Sequence, residues 1–228
     1  MIKKYTGILG SFEYEDTEFE IKQHNGIYIH YIGKETDGTK ITIPEGVVNC
    51  YGMFEYCKNL ETAPIIPEGV KDCSSMFANC KNLKKAPIIP EGIEDCRHMF
   101  HNCKNLKTAP TISEGAENCS YMFYDCKKLE TPPIIPEGVK DCSYMFYHCY
   151  SLKIAPKIPD DVKNCQGMFH GCELLETPPE IPEGVEDCSG MFYNCTNLEI
   201  LPEVPETIKN KKNMFAGCKK AIINSIFL

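Results

Sequence analysis

Residues 139–152 read VKDCSYMFYHCYSL, and this pattern of residues recurs along most of the chain. The dipeptide Met-Phe marks each copy, and successive copies are always 23 residues apart, without insertion or deletion. The Met-Phe pairs begin at Met53, Met76, Met99, Met122, Met145, Met168, Met191 and Met214. Such a strict period predicts a stack of equivalent repeats, because a single short repeat cannot bury its apolar side chains alone.

The first third of the repeat has helical periodicity. Numbered from its first cysteine, the repeat reads C-x-x-M-F-x-x-C-x-x-L-x-x-x-P-x-I-P-E-G-V-x-(D/N), which defines positions 1 to 23. Apolar residues at positions 1, 4, 5 and 8 have the spacing that is typical of a buried helical stripe. Asn or Asp at position 23, as in Asn49 and Asp72, suits a helix N-cap. We therefore predict two turns of helix over positions 1 to 8.

The rest of the repeat favours extended and turning backbone. Leucine at position 11 begins a short predicted strand, and the prolines at positions 15 and 18 end it because proline cannot donate to a ladder. Glu-Gly at positions 19 and 20 predicts a turn. The predicted fold is an α/β repeat solenoid: a leucine-rich-repeat-like, right-handed stack of eight short strand-turn-helix coils, with an N-terminal antiparallel β cap.

The two ends of the chain depart from the repeat. Residues 1–43 contain alternating runs at 12–14, 17–21 and 27–31, and both Asn25-Gly26 and Asp37-Gly38 are hairpin-turn signals. We predict a β-meander cap over residues 1–43, which covers an edge that invites aggregation. The repeat stack spans residues 44–221, and residues 222–228 form a C-terminal apolar cap.

The pattern V-x-D-C-S-x-M-F-x-x-C-x-x-L of residues 139–152 resembles the BspA-like class of bacterial leucine-rich repeats, and the resemblance covers residues 44–221. It implies a leucine-rich-repeat-type solenoid that binds other macromolecules. Many members of that class are surface proteins that attach to host proteins or to other cells. This sequence has Pro-x-Ile-Pro where many of them have Leu-Asp-Leu-Ser.

Several classes of function find little support in the sequence. The 15 cysteines lack the close spacing of metal ligands, so we interpret them as a reduced structural ladder, and we expect no metal or cofactor. No catalytic residue or glycine-rich phosphate loop breaks the register, which argues against an enzyme. A formal charge of −8 argues against nucleic acid as a binding partner. The chain shows neither a membrane span nor an export signal, so we expect a cytoplasmic protein, the alternative being extracellular or cell-surface.

Positions 3, 6 and 7 face away from the predicted buried stripe, and they become aromatic in the central repeats. Together with one residue just beyond, they give the candidate partner-binding residues His98, His101, Tyr121, Tyr124, Tyr144, Tyr147, His148, Tyr150, His170 and Tyr193. Such rings either stack on one another and shield the repeats or form a contact site. The exposed side of the strands is the second candidate surface, where position 12 carries Glu or Lys and position 16 turns charged at Lys157, Glu180 and Glu203.

These observations favour a non-catalytic protein–protein interaction module that binds or sequesters a partner protein. One specific version is a phage or mobile-element inhibitor of a host protein. The alternatives are an extracellular BspA-like surface adhesin and a self-associating structural protein. We expect the chain to be a monomer or a weak homo-oligomer.

Overall fold

The computed structural model describes residues 1–23 and 27–221, and it begins with two β-hairpins. Strands β1 (Ile2–Gly7) and β2 (Gly10–Glu15) form one antiparallel sheet, and β3 (Phe19–Gln23) and β4 (Ile27–Tyr31) form another. The three alternating runs lie in β2, β3 and β4. Strand β1 was not predicted, because it is exposed along most of its length and shows no alternation. The N-terminal part of the chain therefore contains two separate two-stranded sheets and not the single predicted meander.

The predicted hairpin turn at Asp37-Gly38 is wrong. Asp37 instead caps a 3-10 helix, Gly38–Lys40, by accepting a hydrogen bond from the Thr39 backbone N–H. Gly38 is needed for close approach to the first repeat, because its N–H donates to the Thr62 carbonyl over 2.8 Å and a side chain there would collide with the same carbonyl. The turn signal at Asn25-Gly26 and the predicted cap at 222–228 lie outside the described residues.

Strand β4 joins the repeats in their own 23-residue register. Its last residue, Tyr31, stands 23 residues before Phe54, and the two rings are 5.2 Å apart. The Tyr31 N–H donates to the Met53 carbonyl over 2.8 Å, and the Cys57 thiol donates to the Tyr31 carbonyl over 3.9 Å. The same two bonds recur one repeat later, so β4 occupies the place of positions 1 to 5 in a preceding repeat.

Positions 1 to 8 form consecutive β-turns, so the predicted helix is wrong. The N–H groups at positions 4, 6 and 8 donate to carbonyls three residues earlier, as from Met53 to Cys50 over 3.1 Å. The N–H groups at positions 3, 5 and 7 donate to the next repeat, as from Phe54 to Met76 over 2.8 Å, and the N–H at position 1 donates to the position-23 carbonyl that immediately precedes the next repeat. A helix needs every N–H to bond four residues back within its own segment. Here half of the donors are used between repeats.

Left-handed backbone at positions 3 and 7 also excludes a helix. Every residue at these positions, from Gly52 to Gly217, has φ between 55° and 84°. Glycine reaches this region freely, but other residues do so at a cost of about 1–2 kcal/mol. The residues other than glycine with this backbone are Ser75, His98, Tyr121, Tyr144 and Asn213 at position 3, and Tyr56, Asn79, Asn102, Asp125, His148 and Asn194 at position 7.

The predicted buried set nevertheless forms the core. Phenylalanines at position 5 stack from repeat to repeat, with ring centroids 5.5–5.8 Å apart and interplanar angles of 4–12°. From Cys80 to Cys218, each position-8 thiol donates to the phenylalanine carbonyl of the preceding repeat over 3.0–3.2 Å. All 15 cysteines are free thiols. Cysteine suits position 8 because it is small and apolar and still carries a weak donor.

The predicted strands of the repeats are reduced to parallel bridges one residue wide. Position 23 forms a continuous ladder of parallel bridges from Asn49 to Asn210, and position 13 adds isolated ones such as Thr62 to Lys85. Each of the eight Asn and Asp side chains of this ladder, from Asn49 to Asn210, accepts a hydrogen bond from the N–H at position 2 of the repeat that follows it, at 2.7–3.3 Å. Asn and Asp therefore cap a turn, where a helix cap was predicted. Within residues 1–23 and 27–221, no helix has the length and apolar character to cross a membrane.

Candidate interaction surface

The structure brings all ten predicted contact residues to one face of the stack, which we call the aromatic strip. Its main column consists of the position-6 rings, whose centroids lie 4.4–4.8 Å apart with interplanar angles of 5–25°. In order, the column contains His101, Tyr124, Tyr147, His170 and Tyr193. Offset stacking of this kind is a favourable arrangement of aromatic pairs.

A second column of the strip runs beside the first. His98, Tyr121 and Tyr144 at position 3 stack with centroids 4.6 and 4.9 Å apart. Each of these rings also lies 5.5–5.9 Å from the position-6 ring of its own repeat. The two columns therefore form one continuous aromatic surface across repeats 3 to 5.

His148 and Tyr150 form one edge of the strip. The His148 ring lies 4.1 Å from the Tyr147 ring and 5.3 Å from the Tyr150 ring. The Lys127 ammonium group is 5.2 Å from the centre of the Tyr150 ring, and it is also 3.5 Å from the Asp125 carboxylate. A cation over a tyrosine face is attracted by the ring quadrupole. The edge therefore adds charged groups to a surface that is otherwise made of rings.

All ten side chains of the strip are half-buried. Within a column, the faces of a ring are covered by the rings above and below, so the exposed area belongs to ring edges and polar atoms. This geometry agrees with the interpretation that the rings stack and shield the repeats. It also leaves a surface with an apolar body and polar tips, which is what a tyrosine-rich contact site requires.

Burial keeps the strip uncharged near neutral pH. It lowers the pKa of His98, whose ring is also close to His101 and Arg97, and it lowers the pKa of His101, His148 and His170 as well. Burial and the neighbouring Tyr147 raise the pKa of Tyr124 to about 12. Because stacked neutral rings avoid the desolvation of a charge, these shifts favour the column as it stands.

Four residues of the strip have a backbone conformation that favours glycine: His148 at position 7, with φ of 56°, and three residues at position 3. His98, Tyr121 and Tyr144 have φ of 55–57°, and repeats 1, 6 and 7 carry glycine at the same position. The central repeats therefore bear aromatic side chains at an energetic cost that glycine would avoid. The position-3 column ends where the Tyr144 ring lies over Gly167, because a Cβ at Gly167 would be 2.6 Å from that ring.

The charged side chains of the second candidate surface, at positions 12 and 16, are exposed. Opposite charges at position 12 pair between neighbouring repeats, as Lys84 Nζ does with Glu61 Oε2 over 2.9 Å. Sequence reasoning missed the position-16 side chains of Ile65, Ile88 and Ile134, which are 81%, 89% and 80% exposed. The signal was present in Pro-Ile-Ile-Pro, since adjacent residues of extended backbone point to opposite sides and only one of the two isoleucines can be buried.

Stacked 23-residue repeats with a cysteine, methionine, phenylalanine and leucine core define a leucine-rich-repeat-like fold. The family model described as BspA type Leucine rich repeat region matches residues 33–130 and 97–222 with six copies. The chain therefore belongs to the BspA-type leucine-rich repeat family, as the sequence pattern indicated.

Two solved structures share the fold. A leucine-rich repeat protein from Bacteroides ovatus has a TM-score of 0.60 and 20% identity over 86% of this chain, which spans 57% of the Bacteroides chain. The leucine-rich repeat protein TpLRR of T. pallidum has a TM-score of 0.56 and 22% identity over 94% of both chains. A search of curated proteins found no match. At these identities the likeness concerns the fold alone.

Proposed function

We propose that this protein is a non-catalytic module that binds another protein through the aromatic strip. Membership of the BspA-type family indicates a protein-interaction repeat module. The observation that supports the strip as the binding surface is the left-handed backbone of His98, Tyr121 and Tyr144, at a position where repeats 1, 6 and 7 have glycine. Backbone strain at non-glycine residues persists where packing or function demands the side chain. Tyrosine is also enriched in binding hot spots.

The hydrogen bonds of the repeats support a role without catalysis. A serine nucleophile needs a base within hydrogen-bond reach. The Ser120 hydroxyl instead donates to Asn118 Oδ1 over 2.7 Å, and the Ser189 hydroxyl donates to Asp187 Oδ1 over 2.6 Å. These hydroxyl groups complete the turns that cap the repeats. The histidines of the strip have aromatic rings as their close neighbours.

The thiol ladder suits a reducing compartment, so we place the protein and its partner in the cytoplasm. Burial raises the pKa of the position-8 thiols, and for Cys57 at the start of the ladder it reaches about 11. Such thiols are unreactive, and their hydrogen bonds require the reduced form. In the most specific form of this proposal, the protein sequesters its partner by covering the partner's own contact surface.

The test is a binding comparison that leaves the fold intact. The variant His98→Gly/Tyr121→Gly/Tyr144→Gly removes the position-3 column and installs the residue that this backbone favours. Its matched control, Ser75→Gly/Asn213→Gly, makes the same kind of change at position 3 outside the strip. Each tagged protein captures partners from lysate of the source organism under reducing conditions, and the partner's affinity is then measured with purified components.

We expect the triple variant to bind the partner at least about tenfold more weakly, which corresponds to about 1.4 kcal/mol. The control should bind like the wild type, and thermal unfolding should show that both variants are folded. A folded triple variant that keeps its affinity would move the site off the strip. The absence of any stoichiometric partner would overturn the cytoplasmic binding role.

A further inference from the structure

We propose that the proline-rich face of the stack is a second docking surface, and that its occupant is a basic protein segment in which lysine or arginine alternates with apolar residues. The face consists of positions 15 to 19 of successive repeats. This proposal does not depend on the aromatic strip, because it concerns different positions of the repeat. Three features of the face carry it: its exposed isoleucines, its acidic residues and its grooves.

Isoleucines protrude from this face without neighbours that cover them. Ile65, Ile88 and Ile134 at position 16, which we call the isoleucine column, are 80–89% exposed. The next residue in each repeat is a buried isoleucine, as with Ile66 at 4% and Ile89 at 7% exposure. The fold thus uses one isoleucine of each pair and leaves the other in solvent. Clustered exposure of large apolar side chains is typical of an interface.

Position 19 beside the isoleucines carries an acidic residue in repeats 1 to 7, and Glu45 occupies the equivalent place before the first repeat. This acidic column consists of Glu45, Glu68, Glu91, Glu114, Glu137, Asp160, Glu183 and Glu206, all of them exposed. Among the described residues, only Glu137 of this column has a lysine ammonium group within 4.0 Å, namely Lys157 at 3.9 Å. A row of like charges at the spacing of the repeats is unfavourable alone, and a cationic partner would relieve it.

Positions 16 and 19 line the same grooves between neighbouring repeats. Ile134 and Glu137 share one groove with five prolines and Lys157. Further along, Glu183 and Glu206 line a groove of 1130 Å³ with Glu180 and Glu203, which replace the isoleucines. The face therefore exposes isoleucine beside an acidic residue in repeats 1, 2 and 4, and in repeats 6 and 7 its exposed positions 16 and 19 are both acidic. Its complement is a segment that is apolar and basic together.

Charge excludes the other occupants. A second copy of this chain would bring its own acidic column to the contact and a net charge of −8. Nucleic acid and anionic lipid would be repelled for the same reason. A basic segment with apolar residues gains in two ways, since it neutralises the acidic column and buries the exposed isoleucines.

The test uses a fluorescein-labelled ten-residue peptide of alternating valine and lysine, whose binding is followed by fluorescence anisotropy. Two protein variants alter the face: Ile65→Ser/Ile88→Ser/Ile134→Ser removes the apolar part, and Glu68→Gln/Glu91→Gln/Glu114→Gln removes three charges. The matched control, Glu13→Gln/Glu15→Gln/Glu173→Gln, removes three charges elsewhere. A second peptide with serine in place of valine keeps the charge alone.

We expect salt-dependent binding of the valine–lysine peptide, at least about tenfold weaker in both face variants and for the serine peptide, and unchanged in the charge control. Equal weakening in the charge control would overturn the proposal, because it means unspecific attraction. Equal binding of the serine peptide, or no binding to the wild type, would overturn it too. A concentration-dependent mass in light scattering that the isoleucine variant abolishes would assign the face to a second copy. Because the probe is a peptide, none of these outcomes bears on the aromatic strip.

Discussion

The aromatic strip and the isoleucine column both place apolar side chains on the surface at equivalent positions of the 23-residue repeat, but they are covered to very different extents. Rings of the strip lie 4.4–4.9 Å from the next ring in their column and are half-buried. The isoleucines occupy equivalent places in their repeats and remain at least 80% exposed. Flat rings cover one another at the spacing of the repeats, whereas branched aliphatic side chains that point outward do not.

The difference shows that an apolar surface residue is informative only once its intramolecular neighbours are known. The strip contributes to folding and is proposed to bind a partner through its ring edges, so the effects of its substitutions on folding and on binding must be separated. The isoleucine column contributes almost nothing to the folded chain by itself. Its presence is therefore the stronger sign of an external partner, and its substitutions report on binding alone.

The largest loss of stability is expected for the buried phenylalanines at position 5, and it provides the reference against which substitutions on both surfaces are compared. Phe123→Ala removes a fully buried ring that stacks on two neighbours 5.5 and 5.7 Å away. We expect the free energy of unfolding to fall by about 3–5 kcal/mol, through lost burial and a new cavity. Urea denaturation measures it, with Phe123→Leu as the milder control. A loss below about 1 kcal/mol would mean that the stack does not depend on its aromatic core.

An intermediate effect is expected in the strip. Tyr124 stacks on His101 at 4.8 Å and on Tyr147 at 4.4 Å, whereas Tyr193 has one ring neighbour in its column, His170 at 4.6 Å. Tyr124→Ala should cost about 1–3 kcal/mol, at about 0.5–1.5 kcal/mol for each ring pair, and Tyr193→Ala about half as much. The same urea titration compares them. Equal losses would show that stacking along the column does not stabilise the strip.

A smaller effect should appear on acidification. Burial lowers the pKa of the strip histidines below their ordinary value of 6.5, so the unfolded chain binds protons more readily than the folded chain. Stability is therefore complete above pH 6.5, is lost as the pH falls below it, and levels off below the folded-state pKa values. Unfolding curves between about pH 7 and 5.5 measure the slope, a range in which unperturbed carboxylates stay mostly ionised.

The control for this pH dependence exists within the repeat itself. His98→Tyr/His101→Tyr/His170→Tyr installs the residue that neighbouring repeats carry at the same positions and removes three titrating groups. We expect the variant to show a clearly smaller slope with its stacks preserved. The same slope as in the wild type would mean that the histidines of the strip do not control acid stability.

The smallest effect is expected for the isoleucine column. Ile65→Ser/Ile88→Ser/Ile134→Ser changes side chains that are 80–89% exposed, so each substitution should alter the free energy of unfolding by less than about 0.5 kcal/mol. Thermal and urea unfolding check this directly. A loss comparable to that of Tyr124→Ala would show that the isoleucines support the fold, and the contrast between the two surfaces would disappear.

The sequence by itself determined the repeat, its buried positions and the residues of the strip. A 23-residue period with apolar residues at positions 1, 4, 5 and 8 states which side chains turn inward, and positions 3 and 6 follow as outward. The side chains of Asn and Asp at position 23 do accept backbone hydrogen bonds, but they cap a turn and not the predicted helix. These inferences rest on side-chain polarity, which is a local property of the chain.

Only the tertiary structure decided the backbone conformation and the exposure of the isoleucines. Helical spacing at positions 1 to 8 is equally compatible with consecutive turns, and the choice depends on donors such as the Phe54 N–H, whose acceptor lies 22 residues away in the next repeat. Ile65 and Ile66 are identical residues between two prolines, so the sequence does not distinguish them. Only packing against neighbouring repeats selects which of the two is buried. Hydrogen bonds and contacts between repeats lie beyond any local pattern, because they form only when the repeats stack.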